Sequence, residues 1–350
     1  TPGILMSSSL LLNHTTLADR ARGAFYGLAL GDAFGMPTQS LSRERIVEQF
    51  GRIGKLENAF PDQPIAPGLR AGSITDDTEQ AVLVAHLLAD GHGKIEPMAF
   101  AHALIKWEAS MKARGSLDLL GPSTKQAIER IAAGEDPLRT GRFGTTNGAA
   151  MRVTPVGIAF DLRRRDVFID AVVQSCVVTH NTTLGISSAA AVAAAVSAGL
   201  NGASLAEALE AGIAMAEAAE SRGFWVAGGR IAPRIRHARE LMRNCAAHEV
   251  ADTIYDVIGT SVASQESVVA AFALAFEADT RSSTIEAALG AAASLGGDTD
   301  TIAAMLGAIL GACAGYDALP TGPIETIRRV NSLDLEPLVD RLLGLRAATS

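Results

Sequence analysis

Two short strings in this 350-residue chain gather the groups suited to holding a hard cation: Thr75-Asp76-Asp77-Thr78 and Asp298-Thr299-Asp300-Thr301. Each opens an apolar segment, Ala81 to Ala89 in the first case and Ile302 to Gly315 in the second. Asp and Thr at a helix N-terminus act as caps, because their oxygens take free backbone N–H groups and negative charge complements the helix dipole. For either string alone, capping is a sufficient account. Taken together, the strings place four carboxylates beside helices too apolar to be exposed, where unpaired negative charges repel strongly. A divalent cation removes that conflict. Oxygen donors with no His or Cys nearby specify Mg²⁺ or Mn²⁺ rather than Zn²⁺, and four Asp are enough to bridge two ions.

Three other features carry polar groups into apolar surroundings. Asp32 ends an apolar segment, Leu30-Gly31-Asp32-Ala33-Phe34-Gly35, where a negative charge opposes the dipole and needs a compensating partner. The backbone N–H groups of the following turn are the expected partner, which makes Asp32 a support to the metal site rather than a ligand. The segment Gly141 to Arg152 combines glycines, hydroxyls and small residues, so its backbone can approach a ligand closely through Gly144, Thr145, Thr146, Asn147 and Gly148. It lacks the GxxxxGK[ST] pattern and follows no strand, which excludes a P-loop. His180 lies at the junction of two apolar segments, where a neutral imidazole serves as a cap or donates to a ligand.

Nucleophilic chemistry has no support. There is no GxSxG elbow, and Cys176, Cys245 and Cys313 are scattered through apolar stretches with no His beside them. Buried thiols of this kind suit a reducing, cytoplasmic compartment. A net charge of −8 offers no general basic surface to a phosphate backbone, so nucleic acid is not the expected partner. Water activated by metal is the chemistry left.

The elements that must position these groups are helical. Ala-rich amphipathic periodicity predicts helices near 16–31, 77–90, 97–111, 123–133, 166–178, 183–199, 204–220, 266–278, 284–294 and 301–315. Almost nothing alternates like a strand. The uncharged stretch from Asn181 to Ala206 is long enough to span a membrane, but its Ala, Ser, Gly and Thr content predicts a close-packed internal helix, with Ala189 to Ala195 crossing near the centre. Residues 1–5 read as a remnant ahead of a natural start at Met6. Residues 6–320 read as one domain, and 321–350 as a peripheral extension ending in one amphipathic helix near Glu336 to Leu345.

In order along the chain, Gly23 to Gly35 (GAFYGLALGDAFG), Gly72 to Gln80 (GSITDDTEQ), Thr146 to Pro155 (TNGAAMRVTP), Thr179-His180, Gln265-Glu266-Ser267 and Leu295 to Gly315 (LGGDTDTIAAMLGAILGACAG) resemble the ADP-ribosylglycohydrolase family. The likeness covers about residues 18–320. It implies an all-α fold, a single multi-helix orthogonal bundle, with a binuclear Mg²⁺ or Mn²⁺ centre. Thr75, Asp76, Asp77, Asp298, Asp300 and Thr301 match the family's metal-binding positions. The glycine-loop residues and His180 match positions that hold ADP-ribose, so the implied substrate is a ribosylated protein or small molecule cleaved at its anomeric carbon.

Two departures bear on the substrate. Gln39 stands where many family members place a Glu facing the scissile bond, and an amide cannot serve as a general base. Asp76 and Asp300 become the first candidates to take the proton from water. Asn181-Thr182-Thr183 replaces a Pro-containing stretch that often follows the family's His. Two other functions stay open on these grounds: hydrolysis of a small N-riboside such as a nucleoside, and a non-catalytic, crystallin-like binding role.

Overall fold

The computed structural model describes residues 7–117 and 120–349. The expectation for residues 1–5 lies outside the described residues. The helices run in the order α1 (Ser7–Gly35), α2 (Arg43–Phe50), α3 (Asp76–Asp90), α4 (Pro97–Ala113), α5 (Pro122–Ala132), α6 (Pro137–Thr140), α7 (Gly148–Met151), α8 (Thr154–Ala159), α9 (Arg165–Cys176), α10 (Thr183–Leu200), α11 (Leu205–Ala219), α12 (Ile231–Asn244), α13 (Val250–Thr253), α14 (Ser264–Arg281), α15 (Ile285–Ala293), α16 (Thr299–Ala314), α17 (Thr321–Asn331) and α18 (Glu336–Thr349). No strand occurs among the described residues. Three isolated bridges, Leu41 with Gly297, Thr146 with Ala263 and Thr182 with Phe224, tie loops together. The all-α expectation therefore holds, and each periodic segment corresponds to a helix.

The pairing that organises the molecule comes from glycine spacing. Gly23, Gly27, Gly31 and Gly35 recur every fourth residue, so they form one stripe along α1. A Cβ added to them would lie 2.3, 2.2, 1.9 and 2.4 Å from backbone atoms of Gly311, Gly307, Ala303 and Asp300 respectively. The contacts run down α1 as they run up α16, so the two helices are antiparallel with their backbones in direct contact. Without side chains between them, the C-terminal end of α1 is drawn onto the N-terminal end of α16. That is where Asp298 and Asp300 lie.

Around this pair, α10 crosses the centre, with Ala189 through Ala195 all fully buried. It is long and apolar enough to cross a membrane, and 94% of that window is buried inside the bundle, packed on α8, α11 and α16. Two substantial helices escaped the periodicity. In α12, Ile231, Ile235, Ala238 and Met242 form a buried stripe on a helix otherwise rich in arginine, and Pro233 in its first turn hides the signal. The C-terminal region holds α17 as well as the expected α18, and it is not peripheral. Leu335, Leu338, Val339 and Leu342 join the same core as α1, and Arg346, 3% exposed, donates to the carbonyls of Gly157, Ile158 and Phe160.

Candidate metal centre and active site

Asp32, fully buried on α1, is the anchor that locates α3. Its carboxylate accepts from the backbone N–H and hydroxyl of Thr75 at 3.0 and 2.8 Å, and from the same two groups of Thr78. The partner predicted from sequence was the turn after Asp32; the structure supplies the first turn of another helix. The principle is unchanged, because free N–H groups and the positive end of a helix dipole stabilise a carboxylate. Burial pushes the Asp32 carboxyl up to about 6 against the opposing pull of the hydrogen bonds from Thr78 and Thr75.

With α3 held there, Asp76 and Asp77 face Asp300 from the first turn of α16. One carboxylate oxygen from each lies within 4.8 Å of the others. Asp77 and Asp300 are buried, and the Thr301 hydroxyl donates to Asp77 at 3.2 Å. Three carboxylates this close, largely out of water, form an all-oxygen donor set of the kind that Mg²⁺ or Mn²⁺ takes. Asp298 lines the same cavity as Asp76 and Asp300 and accepts from the Asn147 side-chain amide, with burial raising its carboxyl to about 6 against that hydrogen bond. The Thr75 hydroxyl donates to Asp32 at 2.8 Å, which ties the first acidic string to α1 and leaves an oxygen lone pair available.

The cluster forms one end of a cavity of about 260 Å³. Asp76, Asp298, Asp300 and Thr301 line it together with Thr146, Asn147, Gly148, Met151 and Leu120, and the glycine loop adjoins the acids where the Asn147 amide donates to Asp298. Gln39 lines it as well, 5% exposed, and its side-chain Nε2 has no hydrogen-bond partner among the described residues. The preceding turn is clamped to α16: the Thr38 and Thr299 hydroxyls meet at 3.0 Å, and the Ser40 N–H donates to the Gly297 carbonyl at 2.7 Å. Gln63, buried behind, donates to the Gln39 carbonyl at 2.8 Å.

The glycine loop is shaped by close approach. A Cβ at Gly144 would lie 2.0 Å from the Thr179 carbonyl, and one at Gly148 would lie 2.9 Å from the His180 ring. The loop therefore lies flat against Thr179 and His180, and it is pinned from the other side by Ser264, whose N–H and hydroxyl donate to the Thr145 carbonyl. Thr146, Asn147 and Gly148 reach the cavity; Gly144 and Thr145 are spent on the support. His180 stands one layer behind. It is fully buried, with Nε2 3.0 Å from the Thr146 hydroxyl and Nδ1 2.8 Å from that of Thr179, and burial followed by the nearby Arg152 charge holds its pKa well below the usual range. Its influence on any ligand passes through Thr146.

Sequence reasoning missed Arg152, Gln80 and Ser267. Arg152 and Gln80 lie within the family-like motifs but without a role, and a lone arginine in the apolar run from Ala149 to Phe160 was the available signal. Ser267 accepts from Asn147 at 2.8 Å and so fixes its amide toward Asp298.

Comparison with known proteins follows the same outline. Over 329 residues the chain is 33% identical to the protein YegU of Escherichia coli (strain K12), described as uncharacterized, covering 94% of this chain and 97% of that one. It is 30% identical to the ADP-ribosylarginine hydrolase Tri1 of Pseudomonas putida (strain GB-1), over 59% of this chain and 54% of that protein. A solved structure, an ADP-ribosylglycohydrolase-related protein complex, superposes with a TM-score of 0.64 at 24% identity, covering 96% of this chain and 100% of its own, a likeness that concerns the fold alone. Residues 13–350 match the family model ADP-ribosylglycohydrolase, and the chain belongs to that family of glycoside hydrolases.

Proposed function

We propose that the chain uses two Mg²⁺ or Mn²⁺ ions to hydrolyse the bond between ribose and its aglycone in an ADP-ribosylated substrate. One observation carries the reading: Asp76 and Asp77 meet Asp300 from a distant segment, and Asp76 and Asp300 line a cavity that the glycine loop lines as well. Asp298 and Thr301 extend the oxygen donors enough for a second ion. Bound there, divalent ions supply Lewis acidity and lower the pKa of water.

The chain's own residues do the remaining work. Asp76 and Asp300 line the cavity and are the carboxylates placed to take a proton from water. The Gln39 amide cannot accept that proton; its unpartnered N–H group is placed to donate to an oxygen of the substrate. Asn147, held by Ser267 and Asp298, keeps the loop facing the acids, while Leu120 and Met151 limit water around the reacting centre. Replacing Asp300 by Asn tests the reading: Mn²⁺ binding by calorimetry should weaken and release of ADP-ribose from ADP-ribosyl-arginine should cease with the helical circular dichroism unchanged. Full turnover by that variant would sink it.

Gln39 favours a second reading, hydrolysis of a small N-riboside such as a nucleoside, because its neutral side chain replaces an acid beside the bond to be cut. A nucleoside panel assayed beside ADP-ribosyl-arginine separates the two.

A further inference from the structure

A continuous hydrogen-bonded chain links Asp76 of the acidic cluster to Thr146 of the glycine loop, and a buried cation sits at its middle. Asp76 Oδ2 accepts from Gln80 Nε2 at 2.9 Å. Gln80 Oε1 accepts from Arg152 at 2.8 Å, and the other guanidinium nitrogen of Arg152 donates to the Thr179 hydroxyl at 2.6 Å. Thr179 then meets His180 Nδ1 at 2.8 Å, and His180 Nε2 meets the Thr146 hydroxyl at 3.0 Å. Arg152 is fully buried and lies 4.9 Å from the centre of the Phe100 ring, so it is fixed from its face as well as its edge.

Two members of this chain cannot reverse, the Asp76 carboxylate, which only accepts, and the Arg152 guanidinium, and only the second faces Thr179. Hydroxyls, imidazole and amide each donate and accept, whereas a guanidinium only donates. We infer that Arg152 is a positioning residue that sets the direction of the hydrogen bonds running from Thr179 through His180 to Thr146 and so makes the Thr146 hydroxyl a donor to the ligand.

Thr179 accepts from Arg152, so its own hydrogen goes to His180 Nδ1; otherwise a buried hydroxyl hydrogen is left without an acceptor, at a cost of roughly 1–3 kcal/mol. The neutral ring therefore carries its proton on Nε2 and donates to Thr146. The Thr146 hydrogen is left to point into the cavity, toward an acceptor oxygen such as that of a phosphate or a sugar. On the other branch, Gln80 must present its carbonyl to Arg152 and its amide nitrogen to Asp76, which orients that carboxylate. Placed the other way, with the proton on Nδ1, Thr146 would present lone pairs to the ligand and repel a phosphate. The ligand half of this inference rests on the ADP-ribosyl reading.

The tautomer can be measured on the unaltered protein. In a long-range nitrogen–proton correlation spectrum of ¹⁵N-labelled chain, His180 is assigned by the signal lost in His180→Gln. Its Nδ1 should appear as the unprotonated nitrogen and its Nε2 as the protonated one. The reverse pattern overturns the inference. Arg152→Lys retains a buried cation but has one nitrogen where two separated acceptors must be served, so the fixed tautomer should give way to exchange between both forms, and an unchanged spectrum counts against Arg152. For the ligand half, Thr146→Val should weaken ADP-ribose binding roughly tenfold by calorimetry, with recovery in Thr146→Ser. Equal affinity of Thr146→Val and the parent chain removes the donor role. Failure of the parent chain to bind ADP-ribose counts against the substrate reading instead, and the tautomer then decides the role of Arg152 by itself.

Discussion

Gly31 of α1 and Ala303 of α16 are so close that a Cβ on Gly31 would stand 1.9 Å from the Ala303 carbonyl oxygen. The obstacle is backbone and cannot turn aside. Gly31→Ala should therefore push the helices apart and cost at least about 2 kcal/mol. Thermal unfolding followed by circular dichroism checks this, with Gly344→Ala, on the exposed face of α18, as the contrast. Nothing lies within 4 Å of a Cβ at Gly344, so that change should be neutral or stabilise by up to about 1 kcal/mol. Equal melting temperatures for the two variants would contradict the close-contact account.

Ions that bind the acidic cluster only in the folded state must raise the melting temperature. At a hundredfold excess over the dissociation constant the gain is about 2.7 kcal/mol, removed again by a chelator. Asp77→Asn should abolish most of that gain while leaving the metal-free melt equal or higher, because one of three crowded negative charges is gone. A metal response in Asp77→Asn as large as in the parent chain would place the ions elsewhere.

Gln39→Glu adds a carboxylate of nearly the same shape to a cavity already lined by Asp76, Asp298 and Asp300. Since Gln39 Nε2 has no partner among the described residues, no hydrogen bond from that nitrogen is lost. The variant should melt lower than the parent without metal, by about 1 kcal/mol, and show a larger gain on adding Mg²⁺. A smaller gain would mean that this side chain does not face the ion-binding end.

Acid should loosen the C-terminal helix first at Asp161. Burial pushes that carboxyl up, but hydrogen bonds from Arg163 and Asn201 and the charge of Arg346 outweigh it and hold the group at about 2, below the 3.8 of a free Asp. A pKa lowered by folding stabilises the protein above the unfolded value and ceases to do so as pH falls through the folded one. About 1–2 kcal/mol should thus disappear between about pH 4 and 2. Asp161→Asn should lose that part of the acid transition and melt lower than the parent at pH 7.

What the sequence revealed depended on contrast. The paired Asp strings stood out because charge interrupts apolar helices, and the same contrast marked Asp32. Its partner was hidden, since nothing local says that α3, rather than the next turn, brings the N–H groups. The stripe of glycines was legible as a four-residue spacing, but its meaning depends on a second helix with small residues in register at Ala303, Gly307 and Gly311. Thr75 shows another limit: its type suits a ligand, and only the structure shows its hydroxyl also donating to Asp32 at 2.8 Å. Arg152 was visible as a solitary charge, yet the role of a buried donor depends on what its five N–H groups reach. Helix α12 was obscured because four arginines lower the mean hydropathy of a segment whose buried residues are only Ile231, Ala232, Ile235, Ala238 and Met242.

The backbone contact of α1 with α16 also orders events during synthesis. Asp77 and Thr301 are separated by 224 positions, Thr38 and Thr299 by 261, so the acids of α3 gain their counterparts only after Asp300 has been made. Closing so long a span is slow compared with forming local helices. Until then α1 exposes a bare glycine seam and α3 carries negative charges with half their setting absent. A cation that needs oxygens from both strings finds them together only once the chain is complete and α16 has packed on α1.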